Sequence, residues 1–229
     1  MKKFFLIISL IILIILGYLI VVLSTKGFET NRFNKIISNR IIKNNQNISL
    51  KLENIKFKLD VKSLSLFLET NNPKFNYQNL NIPVKKIKVY LEIVSLIKSK
   101  PIINKVEISS KEINTEQLKK ILIKTKPSNL NSLINNKVKD GKLASNIELY
   151  FDENLNIKNF IARGEVKEMH AIIHKDLILK ETSFNFFADN SDTLIQNIKS
   201  NISGILVQNG NLQIERNENI NIKSDFYTD

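Results

Sequence analysis

Hydrophobic and polar positions along this chain change period twice, and each change predicts a different kind of element. From Phe4 to Leu23 the sequence FFLIISLIILIILGYLIVVL carries no charge and no proline. At a rise of about 1.5 Å per residue this run makes a helix roughly 30 Å long, the thickness of a bilayer core. Unpaired backbone polar groups are excluded from lipid, so a helix is the state expected for it. Phe4, Leu6, Leu10, Leu13, Leu16, Leu19 and Leu23 are the expected anchor contacts. Lys2 and Lys3 precede the run as in a signal peptide, but the run exceeds a signal core of about 7–15 residues. Leu23-Ser24-Thr25-Lys26 offers no clear small-x-small cleavage site. Residues 1–27 are therefore read as a retained signal-anchor, and residues 28–229 as one β domain. Lys2 and Lys3 favour a cytoplasmic N-terminus; Lys26, Arg32, Lys35, Arg40 and Lys43 argue the other way. Long domains translocate largely regardless of such charges, so the first pair carries more weight.

Beyond the anchor, Phe33, Ile36, Ile37 and Ile41 recur at helical spacing and predict an amphipathic helix over Glu29–Asn44. It would lie on lipid headgroups or close one end of a sheet. From Ile48 the period drops to 2. Ile48, Leu50 and Leu52 alternate with polar residues, as do Ile55, Phe57, Leu59 and Val61, then Leu64, Leu66 and Leu68, then Ile87, Val89, Leu91 and Ile93. Each set predicts a strand with one dry and one wet face. Ile103–Ile108 resumes the pattern. Asn114 with Gln117 resembles a capping box ahead of a short helix over Thr115–Lys124, and a polar linker is expected from Lys126 to about Asn136. Asp140-Gly141 and Asn209-Gly210 read as hairpin turns. Between and after them strands are expected at Lys142–Phe151, Leu155–Phe160, Gly164–His170, Ile172–Leu179, Thr182–Phe187, Leu194–Ile198, Ser203–Val207, Leu212–Glu215 and Ile220–Phe226. Asn156–Asn159 and Asn197–Ser200 suggest a degenerate repeat of about 40 residues.

Composition narrows the function classes. With 43% hydrophobic residues, only 6 Gly and 4 Pro, the 229-residue chain is not of disordered type. The absence of Cys excludes disulfides, cysteine nucleophiles and thiolate metal sites. A net charge of +12 accompanies a general excess of Lys, Asn and Ile, and no nucleic-acid motif or aromatic platform goes with it. His170 and His174, on one strand, would lie about 13 Å apart, too far to share a metal ion. No phosphate loop, nucleophile motif or dinucleotide turn is present. The reading is thus of a non-enzyme without metal or cofactor.

Ile82-Pro83, Val89-Tyr90-Leu91, Ser95-Leu96-Ile97, Pro101-Ile102-Ile103 and Val106-Glu107-Ile108 together resemble the N-terminal region of AsmA-like proteins of Gram-negative envelopes. Thr115–Leu122 sits where that family has its next helix, and Gly141–Glu215 is similar to its later repetitive β region. The resemblance implies a long twisted antiparallel sheet forming an open groove, with two short helices near the N-terminal end, as in TamB and chorein-type proteins. It also implies an inner-membrane anchor, a periplasmic domain, and phospholipid transport between inner and outer membranes. Family members are usually much longer, so the domain is expected to be the N-terminal part of a longer groove. The alternative is a membrane-anchored β scaffold assisting outer-membrane protein assembly through protein partners.

Physical chemistry permits the transport role. A one-sided sheet must hide its dry face, against a second layer or against lipid; the sequence pattern leaves both open, and the resemblance favours the groove. The expected groove residues are Ile48, Leu50, Leu52, Ile55, Phe57, Leu59, Val61, Ile87, Val89, Leu91 and Ile93, whereas Lys88 and Glu92 should face away. A dozen strands about 4.8 Å apart stack to only about 50–60 Å. The last strand, near Ile220–Phe226, would leave an edge open to a continuation of the chain or to an envelope partner.

Overall fold

In a computed structural model, residues 2–30, 47–63, 65–92, 102–152, 154, 156–216 and 220–228 are described. Helix α1 (Lys2–Thr25) ends where Gly27, at φ +72°, donates its amide to the Val22 carbonyl at 2.8 Å. A left-handed glycine just past the last turn is a favoured helix stop, because it lacks the Cβ that would clash there. No linker follows. The chain enters β1 (Phe28–Thr30) directly, and β1 pairs antiparallel with β3 (Ile55–Asp60).

Among the described residues twelve strands form one antiparallel sheet, so the molecule is mainly β with a long apolar helix at its N-terminal end. The path runs β1, β3, β4 (Ser65–Asn71), β7 (Val84–Leu91), β8 (Ile103–Ser110), then β10 (Val138–Phe151). It continues through β11 (Ile157–His174), β12 (Leu177–Ala188), β13 (Asp192–Ile202), β14 (Ile205–Arg216) and β15 (Ile220–Thr228). The short β9 (Ile113–Asn114) pairs with β10 off this path. A three-stranded sheet of β2 (Ile48–Lys51), β5 (Lys74–Tyr77) and β6 (Leu80–Ile82) is separate.

That small sheet closes the first part of the dry face. Leu50 and Leu52 pack with Ile55, Val84 and Ile87, and Leu68, Phe75, Ile82, Val89, Val106 and Ile108 join them. The β5–β6 hairpin is an excursion between β4 and β7, which pair with each other, and it folds back over their apolar side. Leu50, Leu52, Ile55 and Ile87 are consequently buried core rather than open groove, and Leu91, outside that cluster, is buried as well. Val61 lies in the turn after β3, 53% exposed, and not on the strand. Phe57, Leu59 and Val89 are half-buried, Ile48 lies on β2, and Ile93 falls outside the described residues.

Two helices lie between β9 and β10. The capping box is present at α2 (Thr115–Lys124), with the Gln117 amide donating to Asn114 Oδ1 at 2.9 Å. The expected linker is instead a helix, α3 (Asn129–Lys137), capped by Ser128. Its asparagines are weak helix formers, so local composition pointed to a loop. Contacts to α2, β10 and β11, and the Asn131 bonds to Thr125 and the Lys126 carbonyl, supply what propensity lacks. The helix expected over Glu29–Asn44 begins as strand β1, and the rest of it, like Ser95–Ile97, falls outside the described residues.

Both expected hairpin turns lie inside strands. Gly141 sits in β10 at φ +145°, where a Cβ would come within 3.1 Å of Met169 Cα on β11, and the register shifts around it. Gly210 sits in mid-β14 opposite Phe226. The strands expected at Leu155–Phe160, Gly164–His170 and the first part of Ile172–Leu179 are one strand, β11, and the real turn falls at Lys175-Asp176. Asn156–Asn159 and Asn197–Ser200 occupy unlike places, the entry to β11 and the second half of β13, so no structural repeat follows them. Register shifts in β11 to β13 coincide with positive φ at Glu168, Glu181 and Asn197. Bulges of this kind bend a strand and increase its twist.

Candidate functional site

Directly opposed residues of an antiparallel pair share a face, so the register traces each face from strand to strand. One row runs from β3 to β15: Ile55, Thr70, Ile87, Ile108, Ile147, Ala162, Ala188, Thr193, Ile214 and Ile222. A second begins beside α1 with Phe28 and continues through Phe57, Leu68, Val89, Val106, Leu149 and Phe160. A third crosses the later strands: Gly164, Phe186, Ile195, Leu212 and Ser224. The dry face is therefore continuous from one edge of the sheet to the other.

Its cover is not continuous. The small sheet and α2 sit over β3 to β10, whereas β12 to β15 pack substantially only against their sheet neighbours among the described residues. Over these later strands Phe184, Phe186, Ile195, Leu212 and Ile214 remain partly accessible, and Ile222 and Phe226 are 64% and 47% exposed. Two glycines shape this floor. A Cβ on Gly164 would lie 2.8 Å from the Phe186 ring, and one on Gly210 would lie 2.4 Å from the Phe226 ring. Each ring lies across its partner glycine, which an alanine would prevent. The result is a shallow floor of aromatic and aliphatic carbon. Two open depressions near the turns of β12 to β14 are lined chiefly by polar residues, among them Asp176, Glu181 and Lys199, and belong to a different part of the surface.

The opposite face carries a ladder of charge. Glu29, Lys56, Glu69, Lys88, Glu107 and Glu148 occupy one row, and Lys58, Phe67, Tyr90, Lys105 and Tyr150 the next. Glu69 meets Lys58 at 3.0 Å and Lys86 at 3.5 Å. Glu107 meets Lys105 at 2.6 Å and Lys88 at 3.1 Å. Glu107 and Glu148 stand directly opposite each other; Lys105, 3.8 Å from Glu148, and Arg163 offset that repulsion. Phe67 and Tyr90 stack at 5.1 Å, and Lys105 lies 4.1 Å over the Tyr90 ring. A bond donated to Glu148, and then burial, push the Tyr150 hydroxyl up to about 12. The ladder satisfies the wet face of β1 to β11 by itself, while the dry face of β12 to β15 is the part without substantial cover among the described residues.

Burial pushes the carboxyls of Glu69 and Glu107 up, but their lysines, with Tyr90 at Glu107, outweigh it and hold both below the ordinary value of 4.5. A carboxyl lowered in the folded state contributes stability that is complete above its unfolded value and lost as pH falls through the folded one. Thermal unfolding followed by circular dichroism should thus show a constant midpoint near neutrality and a decline below about pH 4.5. Glu69→Gln should make that decline shallower; an unchanged acid limb would count against the ladder as a stabilising element.

Helix α1 is apolar around its whole circumference and exposed along its length, with Phe4, Leu6, Leu10, Leu13, Leu16 and Leu19 between 49% and 70% accessible. Among the described residues its main contact with the β domain is on β3. A core helix of this composition would be covered. This one is an apolar segment of the type that serves as a membrane anchor or a signal sequence. His170 and His174 both lie on β11, and His174 approaches Asp176 at 3.7 Å. Comparison with protein-family models, curated proteins and solved structures finds no match for this chain.

Proposed function

We propose that this chain is an AsmA-like, inner-membrane-anchored periplasmic protein of the Gram-negative envelope, carrying phospholipid acyl chains along its apolar sheet face toward the outer membrane. The observation that carries the reading is the continuity of the dry rows. One row runs unbroken from Ile55 on β3 to Ile222 on β15, and beside its start Phe57 pairs with Phe28 at the foot of α1. With α1 in a bilayer, the first strand stands at the membrane surface and the later strands lead away from it. An acyl chain leaving water for such a face gains about 0.8 kcal/mol per methylene. Sliding along it needs a continuous apolar track and no catalytic group.

The register sharpens the test. Photo-crosslinking residues at Ile195 and Leu212, on the open floor, should capture phospholipid in cells. The same probes at Gln213 and Lys223, on the charged face, should not. Ile87, under the small sheet, should capture far less than Ile195. Mass spectrometry of lipid retained by the purified full chain gives the second readout. Equal labelling of both faces, together with a lipid-free protein, would favour the scaffold role over transport.

A further inference from the structure

We propose that the corner of the sheet at the foot of α1 is a second membrane contact, with Val61 and Phe28 at the headgroup level of the bilayer that holds α1 and Lys26 and Lys62 on its lipid phosphates. The inference rests on the anchor reading of α1. The helix is exposed from Lys3 to Val21, and its last turn, Val22 to Ser24, is half-buried. The chain then passes against β3: a Cβ on Gly27 would lie 2.7 Å from the Phe57 carbonyl oxygen. About 20 apolar residues span a bilayer core, so the span that begins at Phe4 ends near Leu23. The end of β3 is therefore level with the headgroups.

The register brings the β3–β4 turn to the same place. Phe28 pairs with Phe57 and Thr30 with Ile55, so the direction in which β1 leads back to α1 is the direction in which β3 runs to its turn. Asp60 Oδ1 accepts there from the Lys62 amide at 3.0 Å and from the Ser63 amide at 3.4 Å, and the Ser63 and Ser65 hydroxyls lie 2.6 Å apart. Amides satisfied from within cost little to bring among headgroups, where water is scarcer. Val61 stands at the tip, 53% exposed, and Phe28 beside it on the edge strand is 65% exposed. A single exposed valine is ordinary on a water-facing surface; this one is set apart by its place next to α1. Other turns of the sheet, at Lys175-Asp176, Asp189-Asn190-Ser191 and Ser203-Gly204, carry no apolar side chain.

The charges at this corner fit an anionic leaflet. Lys26 and Lys62 are both exposed. A cation at an anionic membrane surface strengthens the contact roughly fivefold. Lys56 and Lys58 are engaged on the wet face, with Glu29 at 3.9 Å and Glu69 at 3.0 Å. The acid of the turn, Asp60, faces its own amides. Continuity with α1 makes the occupant the bilayer itself rather than an acidic protein. A corner meets the surface, not a flat side, and the twist of the sheet carries the later strands away from it. Two contacts fix an orientation that a single helix leaves free to swivel, and they hold the start of the dry row, at Ile55, next to the lipid.

The chain contains no Cys, so one engineered cysteine can carry an environment-sensitive fluorophore without background. The full chain is labelled at Val61→Cys, Asn71→Cys or Leu13→Cys and reconstituted in vesicles of phosphatidylethanolamine and phosphatidylglycerol. Asn71 is the exposed far end of β4, about 20 Å from the turn. Lipid bearing a nitroxide just below its headgroup should quench the Val61 probe at least threefold more than the Asn71 probe. Lys62→Glu should remove most of that difference and Lys62→Arg should keep it. Phosphatidylcholine in place of phosphatidylglycerol should weaken it. A nitroxide at the end of the acyl chain should quench the Leu13 probe throughout. A quenched Leu13 probe, with Val61 quenched no more than Asn71, would overturn the corner contact and leave the anchor reading standing. An unquenched Leu13 probe would overturn the anchor reading and this inference with it.

Discussion

Leu13→Arg is expected to abolish stable membrane integration, while Leu13→Ile leaves it intact. Leu13 is at the middle of α1 and 67% exposed, so nothing in the protein shields a charge placed there. An arginine at a helix centre costs about 2.5–3.5 kcal/mol on insertion scales, or roughly a hundredfold in partitioning. Alkaline extraction of membranes reads this directly, with the native chain in the pellet and the variant in the supernatant. Because among the described residues α1 meets the β domain chiefly at β3, the variant sheet should unfold at the same denaturant concentration as the native one. If the native chain itself were recovered as a shortened, soluble periplasmic species, α1 would be a cleaved signal sequence and the anchor reading would fail.

Gly164→Ala should cost about 3 kcal/mol, at the top of the range for overpacking. The added Cβ would lie 2.2 Å from the Ala144 carbonyl oxygen and 2.8 Å from the Phe186 ring. The ring can turn, but the carbonyl belongs to the paired strand β10 and cannot withdraw without opening the ladder. Gly210→Ala should cost much less. Its Cβ would meet chiefly the Phe226 ring, at 2.4 Å, and that ring lies on the outermost strand with room to swing out. Urea unfolding of the two variants separates the cases. Equal stability of Gly164→Ala and the native protein would refute the close approach of β10 to β11 at that point.

Much of the fold is legible in the spacing of apolar residues. Strand alternation locates β3, β4, β7 and β8 within about three residues, and Asn114 with Gln117 marks the start of α2. Glycine pairs were the least reliable guides. Asp140-Gly141 and Asn209-Gly210 have turn chemistry, yet both lie within strands, because a glycine also serves wherever another backbone or an aromatic ring comes close. The difference depends on which strand lies opposite, and no local sequence records that. Bulges at Glu168, Glu181 and Asn197 escaped for the same reason, since each is a mismatch between two strands rather than a property of one.

The site divides along the same line. Alternation alone determined that this protein has one dry face, that Lys and Glu crowd the wet positions, and that an apolar helix precedes both. It marked Leu50, Leu52, Ile55 and Ile87 as floor residues, since a side chain on the dry face reads alike whether lipid or protein covers it. Only the tertiary structure decided that β2, with Leu50, joins the β5–β6 hairpin as a cover over Ile55 and Ile87, and that the uncovered floor lies on β12 to β15. Burial by a distant segment is a long-range event. It depends on where the chain returns in space, whereas periodicity reports only which side of its own strand a residue occupies.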